Sequence, residues 1–104
     1  LQAQASGAPI IGLANGGADT VNAVKQAGEF GITDAGIKLV GLVLVISDVH
    51  AMGLNSARGL VATTAYYWDR DEASRAFAAR YEEEMQSKPG MVQAGVYSSV
   101  LHYL

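Results

Sequence analysis

The stretch Lys38 to Ile46 constrains this chain most. After Lys38 it is almost all Leu, Val and Ile, with Gly41 inside it and no alternation of polar and apolar residues. An unalternating apolar run of this length predicts a strand covered on both faces, and therefore a parallel sheet. The run is too short to cross a bilayer.

A parallel sheet needs crossovers, and the sequence on either side supplies them. Pro9 to Ala14 read as a first short apolar strand, and Asn15, Gly16 and Gly17 as a tight turn. Asp19 to Phe30 then carry Ala23, Val24, Ala27 and Phe30 at helical spacing. Asp19 is the expected N-cap, and Gly31 closes the other end. Upstream, Leu1 to Ser6 read as the tail of a helix ending at Gly7. Thr33 to Gly36 read as a turn leading into the second strand.

Ser47 to Gly53 follow as a loop or short helix, and Gly59 to Ala65 as a third strand. Tyr66, Tyr67 and Trp68 leave that strand together. Asp69-Arg70-Asp71-Glu72 resembles a capping box, with Asp69 in the cap position and Glu72 three residues later. A helix from about Asp71 to Gln86 places Ala73, Phe77, Tyr81 and Met85 on one stripe, with Glu82 to Glu84 on a wet side. Lys88-Pro89-Gly90 break it. Met91 to Leu104 form a last helix with Val92, Val96, Ser99, Val100 and Tyr103 on one face and Tyr97 opposite. The expected class is α/β, a three-layer arrangement of a parallel sheet flanked by helices. The 104 residues suit a single partial domain. The link from Ile46 to Gly59 is short for a full crossover helix.

Composition narrows the function. A net charge of −3 gives no electrostatic case for nucleic acid or an anionic membrane. With no cysteine, disulfides and thiolate metal sites are excluded. No basic-then-apolar leader precedes the first strand, and the sequence stops at Tyr103-Leu104 without a polar cap. Both ends read as cut from a longer chain.

The glycine turn invites a phosphate-binding reading. It has neither the G-x-G-x-x-G spacing of a dinucleotide site nor the G-x-x-x-x-G-K-[ST] of a Walker loop, and no Lys follows. It is a structural turn, or one wall of a ligand cleft offering backbone N–H groups and the Asn15 amide. Asp48 and His50 sit two residues apart, which on a helix points them to different faces. Asp48 is either a helix N-cap or the counter-charge for a ligand ammonium. No serine sits in a G-x-S-x-G elbow, so no catalytic residue is assigned. Tyr66 to Trp68, at a strand exit, suit an apolar site wall or rim packing over the core.

Taken together, the segments 12–27, 47–54, 59–69 and 91–104 resemble the second lobe of periplasmic substrate-binding proteins of ABC importers. These carry Leu13-Ala14-Asn15-Gly16-Gly17-Ala18-Asp19-Thr20, Ser47-Asp48-Val49-His50-Ala51-Met52-Gly53, Ala65-Tyr66-Tyr67-Trp68 and Ala94-Gly95-Val96-Tyr97. The likeness is to the branched-chain amino acid class with its type I fold, and to members that take up aromatic acids. It implies a two-lobed protein that closes on a small organic ligand and delivers it to a membrane permease. It implies no cofactor, a periplasmic or extracytoplasmic location, and a first lobe that this chain lacks. Ligand contacts are expected from Asn15, Gly16, Gly17, Asp48, Tyr66 and Tyr97. In amino-acid binders a tyrosine often occupies the turn where Gly16 stands here. The rival class is a small α/β enzyme or nucleotide-binding domain using Asp48 and His50. A half-sheet with an open edge is also expected to self-associate.

Overall fold

A computed structural model describes residues 2–104. The order of elements is α1 (Gln2–Ala5), β1 (Ile10–Leu13), α2 (Ala18–Glu29), β2 (Lys38–Gly41), α3 (Ile46–Met52), α4 (Leu54–Ala57), β3 (Val61–Ala62), α5 (Glu72–Met85) and α6 (Met91–Tyr103). Contacts divide the chain into two compact units. One runs through Leu44 and includes Asp48–Thr63; the other comprises Val45–Ser47 and Thr64–Leu104. The fold is mixed α/β, with a parallel three-stranded sheet and flanking helices, as the apolar runs require.

In the first unit the strands lie in the order β1-β2-β3, all parallel. Ile10 pairs with Lys38, Leu13 with Gly41, and Val40 with Val61. Cover is one-sided within this unit. Ile11, Leu13 and Leu39 turn to the core, while Ile10 and Val61 stay about half exposed.

The core forms two clusters. Val21, Val24, Leu44 and Met52 make one, and Ala27, Ile32 and Leu39 the other; Leu60 packs against both. The buried face of α2 is Thr20, Val21, Val24 and Ala27, so Phe30 is exposed where the sequence placed it inside. The N-cap of α2 is Gly17, not Asp19. Gly17 turns the chain with a φ of 59°, and its carbonyl already accepts the Val21 N–H. Asp19 therefore falls in the first turn, where the helix dipole favours a carboxylate.

The other end of α2 meets the expectation. Gly31 takes a φ of 65°, its N–H donates to Gly28, and the Ile32 N–H donates to Ala27. This paired closure brings Ile32 back onto Ala27, which seeds the second cluster. Gly7 has a φ of 72° and ends the short α1; the part of that helix expected at Leu1 lies outside the described residues.

Both later strands are shorter than the sequence suggests. β2 stops at Gly41, because Leu44 folds back over it: a Cβ at Gly41 would stand 3.1 Å from the Leu44 Cβ. β3 begins only at Val61, since Gly59 has a φ of 78° and the Leu60 N–H still donates to Ala57. It ends at Ala62, and beyond it the Thr64 hydroxyl both donates to the Tyr66 carbonyl and accepts its N–H. Such local bonds offer the backbone an alternative to the ladder. The short link between β2 and β3 is helical: α3 and α4 are separated at Gly53, whose φ is 82°.

In the second unit α5 is capped by Asp71, two residues later than expected, and its carboxylate accepts the Ser74 N–H at 2.8 Å. Asp69 instead pairs with Arg75 at 3.2 Å. The inner face of α5 is Ser74, Phe77, Ala78 and Tyr81, leaving Ala73 and Met85 outside. The helix ends on Gln86 in the left-handed conformation, and Pro89 is fully buried. Lys88 contacts Glu82 and lies 4.5 Å from the Trp68 ring centre. At the start of α6, the Gln93 amide oxygen accepts the Gly90 N–H. No residue of α6 is buried, and its Val92, Val96 and Val100 stripe is exposed. The helix presents Tyr97 to α5 instead.

Candidate functional site

Parallel strands send their exits to one edge of the sheet. At that edge of the first unit the three exits are tied together. The Leu42 N–H donates to Leu13, the Thr63 N–H to Gly41 and the Thr63 hydroxyl to Leu42, at 3.0, 3.2 and 3.2 Å. The glycine turn is built on the same edge. The fully buried Thr20 donates its hydroxyl to the Asn15 carbonyl, closing the turn onto the first turn of α2. A Cβ at Gly16 would meet Val43 Cγ1 at 3.4 Å, so the loop after β2 approaches close to the turn. Gly17 has no neighbour to clash with; its constraint is the backbone angle. Gly17 thus has a conformational reason to be glycine, and the turn remains an accessible backbone surface at the sheet's carboxyl edge. That is the edge at which open parallel sheets hold ligands.

Asp48 is the third residue of α3 and half-buried, so it is not the N-cap of that helix. His50 is exposed in the last turn. Among the described residues no three His, Cys, Asp or Glu side chains gather as a metal site.

Tyr66 and Tyr97 are brought together in the second unit by Phe77. The Tyr66 ring meets Phe77 edge-on at 5.8 Å, and the Tyr97 ring lies 4.7 Å from Phe77. These three rings line an open groove of about 720 Å³, with Arg70, Asp71 and Ala94. Two hydroxyls are anchored. Tyr66 donates to the Ser74 carbonyl at 3.0 Å, and Tyr97 accepts from Arg80 at 3.3 Å. Burial raises the Tyr66 phenol above its ordinary pKa, the Asp71 charge adds to this, and Arg70 partly offsets it. Asp71 is held down to about 2 by the Ser74 backbone N–H, then by the Ser74 hydroxyl and by Arg70. The groove presents apolar ring faces beside fixed polar groups, an arrangement for binding. Helical spacing alone places Phe77 on a core stripe and singles out no role for Arg80. Their spacing of four and seven residues from Ala73 does not reveal that Tyr97 comes to meet them.

The chain belongs to the periplasmic binding protein family, whose profile matches residues 1–104. It is similar to a crystal structure of a periplasmic binding protein from Burkholderia mallei. The two share 56% identity with a TM-score of 0.85, over 95% of this chain and 26% of that one. The chain thus spans about a quarter of the length of the solved structure it matches. No curated protein matches it. Among the described residues no helix is long and apolar enough to cross a membrane.

Proposed function

We propose that this chain is part of an extracytoplasmic solute-binding protein that serves an ABC importer, in the branched-chain amino acid class. The observation that carries the reading is the carboxyl edge of the parallel sheet, where β1, β2 and β3 exit beside the open turn Asn15-Gly16-Gly17. Membership of the periplasmic binding protein family supports it. The ligand is a small organic molecule, an amino acid or an aromatic acid. The resemblance assigns ligand contacts to Asn15, Gly16, Gly17 and Asp48 in the first unit and to Tyr66 and Tyr97 in the second. The chain is a partial domain of the second lobe, completed by a first lobe elsewhere in the protein. Closure of the lobes buries the ligand and shifts an open–closed equilibrium, and the closed form delivers its load to a membrane permease. The protein binds and does not catalyse.

Isothermal titration of the full-length protein containing this chain, against amino acids and aromatic acids, tests the reading. Saturable binding of one such ligand, weakened by Asp48→Ala and by Tyr97→Ala, is expected. Failure with every small organic ligand, alongside turnover of a nucleotide or other substrate, would overturn it. The isolated chain is expected to self-associate through its open sheet edges or the exposed face of α6. A monodisperse monomer in light scattering would contradict this.

A further inference from the structure

We infer a second binding site, for a small organic dianion, at the amino edge of the sheet. It is separate from the proposed solute site, which lies at the carboxyl edge, and it does not depend on that reading. A cavity of about 360 Å³ opens there in the first unit, between the second half of α2 and the segments that lead into β2 and β3. Its volume is in the range of pockets that hold small molecules.

The charges around this cavity are one-sided. Lys25 on α2, Lys38 at the start of β2 and Arg58 after α4 all line it. These are three of the chain's seven Lys and Arg residues, gathered in one place on a chain whose net charge is −3. Among the described residues no Asp or Glu lines the cavity; Glu29 and Asp34, the acids nearest along the chain, are not part of its wall. Among the described residues none of the three cations makes an ion pair, whereas Arg70, Arg75 and Lys88 each pair with a carboxylate. Three unpaired cations around one hollow repel each other, and an anion with two charges relieves that repulsion.

The rest of the wall specifies the body of the ligand. Val24, Ile37, Leu39 and Leu60 supply apolar surface, and Asn55 and Ser56 supply polar side chains at one side. Leu39 belongs to the core and Leu60 packs against it, so this floor is fixed by the fold. A compact aliphatic body bearing a phosphate, or a short dicarboxylate, matches such a hollow. Arg58 can take either head in a paired hydrogen bond, and the two lysines act as point charges.

Isothermal titration of the full-length protein with n-butyl phosphate, glutarate and butyrate tests the inference. n-Butyl phosphate and glutarate represent the two sources of a double charge, and butyrate carries only one. At least one dianion is expected to bind about tenfold or more tighter than butyrate, and added salt is expected to weaken it. The double variant Lys25→Gln/Arg58→Gln is expected to lower that affinity about tenfold or more. Both side chains are exposed, so the fold does not rely on them. Gly28→Glu gives an independent check: Gly28 lines the cavity, has an ordinary helical φ and has open space where a Cβ would stand. The added carboxylate should abolish dianion binding while circular dichroism stays unchanged. No dianion binding, or dianion binding indifferent to both variants, overturns the inference.

Discussion

The rings of Phe77 on α5 and Tyr97 on α6 lie 4.7 Å apart between centroids and 31° from parallel. This pair explains why α6 leaves its valines outside. Val92, Val96 and Val100 form the more apolar stripe, yet Tyr97 offers the larger surface and also reaches Arg80 through its hydroxyl. Aromatic pairs at such separations add about 0.5–1.5 kcal/mol to the area they bury.

Phe77→Ala is therefore expected to destabilise the second unit by about 2 kcal/mol, below the roughly 3–5 kcal/mol of a fully buried Phe, because Phe77 is only half-buried. Phe77→Leu should recover part of the loss by restoring apolar volume without the ring contacts. Urea unfolding of the three proteins checks this. Equal stability of Phe77→Ala and the parent would show that the groove is not held by this ring.

Asp71 makes the stability of α5 depend on pH. Its carboxylate accepts the Ser74 N–H and pairs with Arg70 at 2.9 Å, which lowers its pKa from 3.8 to about 2. The folded pKa lies below the unfolded one. The stabilisation is thus fully present above about pH 4 and is lost as the pH falls towards 2. Asp71→Ala is expected to lower Tm at neutral pH and to flatten the acid limb of a Tm-against-pH curve. Asp71→Asn keeps the cap at neutral pH, since Asn is an equally good N-cap, and should flatten the same limb. A curve for Asp71→Asn that still falls as steeply between pH 4 and 2 would assign the acid limb to other carboxylates.

Much of the fold is legible because it rests on local chemistry. The apolar run after Lys38 does go with parallel pairing, and Gly31 does close α2. The misplacements have a common cause: they depend on contacts between residues distant in the chain. Nothing local says that Leu44 packs back over Gly41, so the second strand looks nine residues long when only Lys38–Gly41 pair. Asp19 and Asp69 are as good in composition as the residues that cap, but Gly17 and Asp71 stand where the backbone turns. The division into two units is similarly hidden, since no Pro- or Gly-rich linker marks residue 64. At the candidate site, the glycine turn was readable from its residue types. The Tyr66–Phe77–Tyr97 group was not, because Tyr66 precedes α5 and Tyr97 lies beyond its far end.

The apolar run offers a direct measure of that difference. Leu39 and Leu42 belong to one sequence pattern, yet Leu39 is 3% exposed and Leu42 is 48% exposed. Leu39→Ala should cost about 3 kcal/mol, since it opens a cavity between Ala27, Ile32 and Leu60. Leu42→Ala should cost less than about 1 kcal/mol, as a surface substitution does. Denaturant titrations of the two variants side by side decide the matter. Similar losses would mean that Leu42 is covered in the protein.

Gly16 and Gly17 should separate in the same way, for a conformational reason. Gly17 combines a φ of 59° with a ψ of −137°, a region that costs a side-chain-bearing residue on the order of 1–3 kcal/mol. There is space for a methyl group at Gly17, so the loss in Gly17→Ala is backbone strain alone. Gly16 is not at positive φ, and its added Cβ would meet Val43 at ordinary contact distances, 3.4 Å from Cγ1 and 4.0 Å from the carbonyl oxygen. Gly16→Ala should therefore leave Tm nearly unchanged, whereas Gly17→Ala should lower it by several degrees. Relief of the strain by moving the turn would also displace the Asn15 carbonyl from Thr20. Thr20→Val, which removes the same hydrogen bond without altering the backbone at Gly17, should then destabilise Gly17→Ala less than it destabilises the parent. Additive losses in this double-mutant cycle would show that the turn keeps its shape and carries the strain.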